Sequence, residues 1–355
     1  GNSTRINITG RRTGERPGCV RIFHKGQLSE EAYYKFSGFE TFLFIWEKEQ
    51  EYEVEICELE VSLAYSYCPD CVLEQGVRFI EFKDKAYFYT KDNLKDALTQ
   101  DYRNTFHFSP YKNWMNDPNG LCWFKGYYHL FYQYNPYGSM WGNMHWGHAT
   151  SHDLVTWEHQ PVAIAPDALG TIFSGSCVVD KDNTAGFGAG AIVAFYTSAS
   201  DRQVQSMAYS LDNGKTFRKY ARNPILTSTQ RDFRDPKVLW HEASGRWIMI
   251  LAVGQEMQIY SSPNLKDWTM ESKFGEGQGA HGGVWECPDL IELPIEGTEL
   301  KKWVLICNLN PGGPFGGSAT QYFVGTFDGK KFVNESPALT KWMDWGKDHY
   351  ATVTW

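Results

Sequence analysis

The sequence predicts an all-β protein, a five-bladed β-propeller with an incomplete last blade that follows a small β-rich domain. Three observations support this prediction. Strand-like runs and tight turns fill the chain after Phe106 with almost no helical periodicity, a polar turn recurs at intervals of one blade, and residues 1–101 differ in character. We therefore expect two domains, at residues 1–101 and 102–355.

The N-terminal domain is predicted from short apolar and aromatic runs that follow a polar, flexible start at Gly1–Gly18. In Glu51–Glu60 acidic and apolar residues alternate, and this period of two predicts a half-buried strand. Lys91–Thr99 is expected to form one short helix. Two roles stay open for this domain, an ancillary carbohydrate-binding domain and a packing spacer.

The repeat is a polar turn closed by an aromatic residue. It occurs at Ser151–Trp157, Ser210–Phe217, Ser262–Trp268 and Thr326–Phe332. The closing aromatics are 51 to 64 residues apart, enough for the four short strands of one propeller blade. A fifth unit is expected to start near Lys341 and to be cut off at Trp355, so we expect a partial chain. A β-sandwich is the alternative fold, but it does not predict regular spacing.

Three carboxylates fall early in successive repeats, where the first strand of a blade lines the central channel. Asp117 and Asp235 each stand directly before a proline, and Glu286 stands before a Cys-Pro pair. Proline is expected to keep the preceding residue extended and so to aim the carboxylate. Arg234 can offset their repulsion, and like charges are expected to raise the pKa of one member. The pattern favours glycoside hydrolysis, which uses an ionised nucleophile and a protonated acid; turn residues or calcium ligands are the alternative.

Composition favours a carbohydrate ligand. Aromatic residues make up 16% of the chain, including 14 Trp and 20 Tyr, and their flat apolar faces with polar edges suit sugar rings. An aromatic all-β core is an equally good account. The net charge of −8, without a basic block, disfavours nucleic acid and anionic membrane surfaces as partners. No apolar run is long enough to span a bilayer.

No metal and no organic cofactor is predicted. Cys68 and Cys71 form a C-x-x-C pattern, for which a turn or a disulfide is favoured over zinc. His145 and His148 are expected to be packing residues, because a strand places positions i and i+3 on opposite faces.

Seven segments carry a family resemblance. They are Asn113–Gly120, Phe131–Pro136, Met144–His148, Phe173–Ser176, Arg234–Pro236, Glu286–Cys287 and Asp344–Ala351. This ordered set resembles glycoside hydrolase family 32, and within it the bacterial levanases and exo-inulinases. The resemblance runs from Tyr102 to Trp355 and implies a five-bladed propeller followed by a C-terminal β-sandwich, which we expect this chain to lack.

The resemblance also implies an activity, the retaining hydrolysis of β-fructofuranosides such as levan, inulin or sucrose by double displacement. Asp117 resembles the nucleophile, Glu286 the acid/base and Asp235 the transition-state stabiliser. Residues that resemble the lining of the terminal-fructose subsite are Asn116, Gln133, Trp141, Ser174, Arg234 and Trp355. Fructosyl transfer or endo-cleavage by the same triad, and fructan binding without turnover, remain open. A polymeric substrate implies an extracellular or cell-surface location.

Overall fold

The structure is a computed structural model that describes residues 3–48, 50–89, 93–94, 98 and 101–355. The chain forms two compact units. The first comprises residues up to Met115 with Tyr134–Asn143 and His148–Pro161, and the second comprises Asn116–Gln133, Met144–Gly147 and Val162–Trp355. Among the described residues, no helix is long and apolar enough to cross a membrane.

The N-terminal part of the first unit contains two antiparallel sheets. Its elements are β1 (Ser3–Arg12), β2 (Gly18–His24), β3 (Gln27–Tyr34), β4 (Glu40–Glu47), β5 (Tyr52–Cys57), β6 (Leu59–Tyr67), α1 (Val72–Gln75), β7 (Arg78–Phe82) and β8 (Ala86–Tyr89). One sheet has the order β4-β1-β6-β7-β8 and the other β3-β2-β5. Ile6, Ile8, Ile22, Tyr34 and Phe44 belong to one buried core cluster that draws on both sheets.

The sequence predictions for this region meet different outcomes. The half-buried strand is confirmed in β5, where Tyr52, Val54 and Ile56 are half-buried and the glutamates between them are exposed. The flexible start is wrong for Ser3–Arg12, because buried Ile6 and Ile8 make it a strand with partners on both sides. The helix at Lys91–Thr99 lies mostly outside the described residues.

The cysteine pair that the sequence singled out lies at a turn. The Cys71 N–H donates to the Cys68 carbonyl at 3.3 Å, and α1 follows directly. Both side chains are free thiols in this structure. The expectation of an ordinary turn is therefore confirmed.

Four meandering sheets follow between Trp114 and Trp342. Their strands are β9 (Trp114–Phe124), β10 (Tyr127–Asn135), β11 (His145–Ser151) and β12 (Glu158–His159); β13 (Thr171–Asp180), β14 (Ala191–Ala199), β15 (Gln203–Ser210) and β16 (Arg218–Lys219); β17 (Phe233–His241), β18 (Arg246–Val253), β19 (Glu256–Ser262) and β20 (Thr269–Phe274); and β21 (Val284–Pro294), β22 (Lys301–Asn310), β23 (Ala319–Phe327), β24 (Phe332–Asn334) and β25 (Lys341–Trp342). A 3-10 turn, Glu242–Ser244, separates β17 from β18. Within each sheet the first four strands pair in sequence order, as in a propeller blade.

The sequence repeat marks the same point in every sheet. The closing aromatics Trp157, Phe217 and Trp268 stand directly before the fourth strands, and Phe332 begins one. Side-chain hydrogen bonds form the turns: Asp153 Oδ1, for example, accepts from the N–H groups of Val155 and Thr156 at 2.9 and 2.7 Å. Polar residues that satisfy backbone donors in this way favour turns.

Successive sheets pack against each other through shared apolar cores. One core cluster combines residues of the first two sheets, a second combines the second and third, and a further one combines the third and fourth. The first strands meet as well, since β17 contacts both β13 and β21. This arrangement is that of propeller blades, and it gathers the first strands together.

The fifth blade stays a prediction. The segment expected to open it, Lys341–Trp342, is β25 and pairs with β23 of the fourth sheet. Its pairing is antiparallel and covers only Tyr322 and Gln321. The fourth sheet therefore takes the strand that the sequence assigned to the next blade.

Candidate active site

The three predicted catalytic carboxylates lie on first strands: Asp117 in β9, Asp235 in β17 and Glu286 in β21. Cys287 connects them. Its Sγ donates to Asp117 Oδ2 at 3.3 Å, and its N–H donates to Asp235 Oδ2 at 2.9 Å. Cys287 directly follows Glu286, so the structure brings all three carboxylates together around one residue.

Asp117 is held by three side-chain donors. Ser174 Oγ donates to Oδ2 at 2.7 Å, and Asn116 Nδ2 donates to Oδ1 at 3.3 Å. Cys287 is the third donor. Burial and the nearby charges of Asp117, Asp235 and Glu286 raise the pKa of its thiol well above the ordinary 9.0, so the sulfur keeps its proton. The Asp117 carboxylate is therefore fixed at both oxygens.

Glu286 is held by a cation and a phenol. Arg234 donates to Oε1 through Nε at 3.2 Å and Nη2 at 3.0 Å. The remaining end of the guanidinium donates to Asp232 Oδ1 at 2.8 Å and Gln203 Oε1 at 3.1 Å. Tyr350 donates its hydroxyl to Glu286 Oε2. This fork geometry is one that only arginine provides.

Asp235 is a buried carboxyl with a raised pKa. Burial raises the pKa to about 7; Arg234 opposes this rise, whereas Glu286 and Asp117 add to it. The rise that the sequence led us to expect in one member therefore falls on Asp235. Its main cause is burial, with repulsion between like charges as a smaller contribution.

The strand ladders are interrupted at two of these carboxylates. The β17–β18 register shifts between Arg234 and Lys237, and the β21–β22 register shifts between Glu286 and Asp289. Within these bulges Asp235 has φ of 65° and Cys287 has φ of 44°. The expectation that proline keeps the preceding residue extended is therefore wrong at both positions, because each of these residues has a left-handed φ where the register shifts.

The predicted substrate-binding residues divide into two groups. Asn116, Ser174 and Arg234 contact the carboxylates directly, as described above. Gln133 is buried at the end of β10, and its Nε2 donates to the Ile172 carbonyl at 3.0 Å. Trp141 belongs to the first unit and is 59% exposed. Trp355 packs edge-on against Tyr128, with ring centres 5.3 Å apart. The subsite roles of the last three stay predictions.

Two residues of the site were not assigned roles from the sequence, Cys287 and Tyr350. Both stand inside segments that carried the family resemblance, and this was the only sequence signal for them. Their contacts join positions far apart in the chain, 170 residues for Cys287 with Asp117 and 64 for Tyr350 with Glu286. No local pattern reveals such pairs.

Comparison with known proteins identifies the family. The sequence model described as "Glycosyl hydrolases family 32 N-terminal domain" matches residues 107–355. This chain belongs to glycosyl hydrolase family 32. The first unit's residues before 107 lie outside the match. The β-propeller of the family agrees with the blade-like sheets described above.

Several family 32 members are close in sequence or structure. A levanase of Bacillus subtilis is 57% identical over 263 residues, covering 72% of this chain and 39% of the levanase. The extracellular exo-inulinase inuE of Aspergillus niger is 47% identical over 294 residues, covering 72% of this chain and 55% of that protein. The chain thus spans about half the length, or less, of these relatives. A solved family 32 structure from Bifidobacterium adolescentis has a TM-score of 0.78 at 25% identity, covering 99% of this chain and 67% of that one.

Proposed function

We propose that this chain carries the catalytic site of a retaining β-fructosidase that releases fructose from levan, inulin or sucrose. The observation that supports this most directly is the gathering of Asp117, Asp235 and Glu286 around Cys287. The names of the relatives, levanase and extracellular exo-inulinase, support a fructan substrate and an extracellular location. No metal or organic cofactor enters this proposal.

The mechanism follows from the contacts. Asp117, oriented by Asn116 and Ser174, attacks the anomeric carbon of the terminal fructose and forms a covalent fructosyl intermediate. Glu286 protonates the leaving oxygen and then, as a base, activates the water that hydrolyses the intermediate. Asp235 accepts hydrogen bonds from fructose hydroxyls and stabilises the oxocarbenium-like transition state.

Arg234 and Tyr350 assist Glu286. The guanidinium neutralises part of the charge on Glu286 while it is ionised, and it holds the carboxylate in one orientation. The Tyr350 hydroxyl occupies the other carboxylate oxygen. The proton that Glu286 gives to the leaving group therefore moves within a network fixed before substrate arrives.

The test is a product profile of the full-length protein on levan, inulin and sucrose. We expect free fructose from at least one of the three, and a loss on the order of 10⁴-fold in kcat for Asp117→Asn. Asp212→Asn is the matched control, because Asp212 only holds the turn before β16. An Asp117→Asn variant as active as the wild type would contradict the proposal.

The same profile separates the remaining candidates. Longer oligosaccharides at high sucrose would indicate fructosyl transfer, and a ladder of short fructans from levan or inulin would indicate endo-cleavage. Retention on a fructan matrix without any product would indicate a binding protein. The complete carboxylate set with its network around Glu286 favours hydrolysis over binding alone, since binding needs no proton donor.

A further inference from the structure

The backbone on either side of Arg234 is held by side chains of the neighbouring sheet. In the β17–β18 ladder Arg234 pairs with Ala252 and Lys237 with Ile250, so Asp235 and Pro236 together oppose a single residue. Pro236 has no N–H group, but Asp235 has one, and the bulge removes its ladder partner. Because Asp235 is buried, that N–H must find another acceptor.

Two residues of the second sheet, Thr197 and Gln205, form the hydrogen bonds that the β17–β18 ladder does not provide at this point. Thr197 Oγ1 accepts from the Asp235 N–H at 3.1 Å and donates to Gln205 Oε1 at 2.7 Å. Gln205 Nε2 donates to the Phe233 carbonyl at 2.8 Å. Thr197 and Gln205 are direct partners in the β14–β15 register, and both are fully buried.

The hydrogen bonds that link Asp235, Thr197, Gln205 and Phe233 can each run in only one direction. The Phe233 carbonyl can only accept, so the Gln205 amide must turn its NH₂ group toward it and its oxygen toward Thr197. The Thr197 hydroxyl must then donate its single proton to Gln205, so its oxygen can only accept the hydrogen bond from the Asp235 N–H. Each group therefore fixes the orientation of the next.

We propose that Thr197 and Gln205 are positioning residues for Asp235. They hold the backbone at the positive φ that directs the carboxylate to the Cys287 N–H. Neither residue contacts the reacting atoms in this arrangement. The inference rests on the proposed function, because the position of Asp235 matters to catalysis only if Asp235 stabilises the transition state.

The neighbouring residues offer a matched control. Ser198 and Ser206 lie on the same two strands, are also buried, and their hydroxyls bond each other at 2.8 Å. Successive side chains of a strand point to opposite faces, so the serine pair faces away from Thr197 and Gln205. Ser198→Ala removes a buried hydroxyl of the same sheet without touching Asp235.

The test compares Thr197→Val, Thr197→Ser and Ser198→Ala in the full-length protein. Thr197→Val keeps the shape but leaves the Asp235 N–H without its acceptor. We expect its kcat for fructose release to fall roughly 10- to 100-fold, with a smaller change in KM, because a small misplacement costs about that much. Thr197→Ser should recover most of the activity, and Ser198→Ala should stay within about 3-fold of the wild type, since neither variant loses the hydrogen bond to Asp235.

Two results would overturn the proposal: Thr197→Val with wild-type kcat, or Thr197→Ser and Ser198→Ala as impaired as Thr197→Val. If Thr197→Val does not fold, Gln205→Met provides the same comparison, because it removes the partner that orients Thr197. If the wild type itself releases no fructose, the proposed function fails. A crystal structure of Thr197→Val then tests the positioning of Asp235 separately. Movement of the Asp235 carboxylate away from the Cys287 N–H supports positioning, and an unmoved carboxylate refutes it.

Discussion

Asp235 makes folding stability depend on pH. Its pKa is raised from an ordinary 3.8 to about 7 in the folded chain, mainly by burial. Between these values the folded protein holds a proton that the unfolded chain has released. Stability from this group is therefore complete below pH 4 and is lost as the pH rises through 7, with a total of about 4 kcal/mol.

We predict that Asp235→Asn removes this dependence. The amide cannot ionise, so the free energy of unfolding of the variant, relative to the wild type, should increase between pH 4.5 and pH 7.5. Urea denaturation of both proteins at several pH values measures the difference. A constant difference across the range would show that Asp235 ionises normally in the folded protein.

At the residue scale, the sequence was sufficient to predict the site residues that stand in a local pattern. Asp117 and Asp235 stand before prolines, Glu286 stands before a Cys-Pro pair, and all three recur with the blade. Thr197 and Gln205 carry no comparable pattern. A threonine and a glutamine in strands are ordinary, and their importance arises only when the second sheet meets the bulge of the third.

Among the elements, β9 depends on one glycine, Gly120, which lies three residues after Asp117. Gly120 has φ of 58°, and a Cβ there would lie 2.7 Å from Phe131, 2.9 Å from Cys177 and 3.0 Å from Trp146. These neighbours belong to the buried core shared by the first two sheets. Any side chain at this position would therefore meet both an unfavourable backbone and a filled space.

We predict that Gly120→Ala is more destabilising than Gly126→Ala. Gly126 also has a positive φ, of 88°, but nothing lies within 4 Å of its Cβ position. The Gly126 variant should lose about 1 kcal/mol from backbone strain, and the Gly120 variant a further 1–3 kcal/mol from overpacking. Thermal unfolding measures both. Equal losses of stability would mean that the core around Gly120 accommodates the added methyl group without strain.

The sequence predicted the strands better than it predicted their bulges. Period-two alternation located β5, and the recurring polar turns gave the spacing of the sheets. The bulge at Asp235 was missed because proline argues for an extended neighbour, whereas the ladder shift overrides that local preference. A bulge depends on the partner strand, which a local pattern does not contain.

Considering the whole molecule, the N-terminal sheets share a compact unit with later segments. The Val77 N–H donates to the His159 carbonyl at 2.8 Å, and Gln160 Nε2 donates to the Val72 carbonyl at 2.8 Å. The rings of Phe79 and Tyr111 stack with centres 4.1 Å apart. A domain boundary after residue 101, expected from composition, would cut through these contacts.

We predict that a chain lacking residues 1–101 unfolds at a clearly lower temperature than the chain that retains them. In the longer chain Gln160→Ala should cost about 1–3 kcal/mol, because it leaves buried acceptors unpaired. Gln230→Ala, at an exposed position, is its control and should have almost no effect. An unchanged melting temperature after the deletion would instead support an independent domain.

The contact between Cys287 and Asp117 spans 170 residues of chain, and two other first strands, β13 and β17, lie between them in sequence. Closing a loop of that length carries an entropy cost that short-range contacts do not, and the intervening sheets must pair before the two ends can meet. A chain with only some of its sheets assembled contains Asp117 and Glu286 but does not bring them together. We therefore expect the contact between Cys287 and Asp117 to be among the last to form during folding.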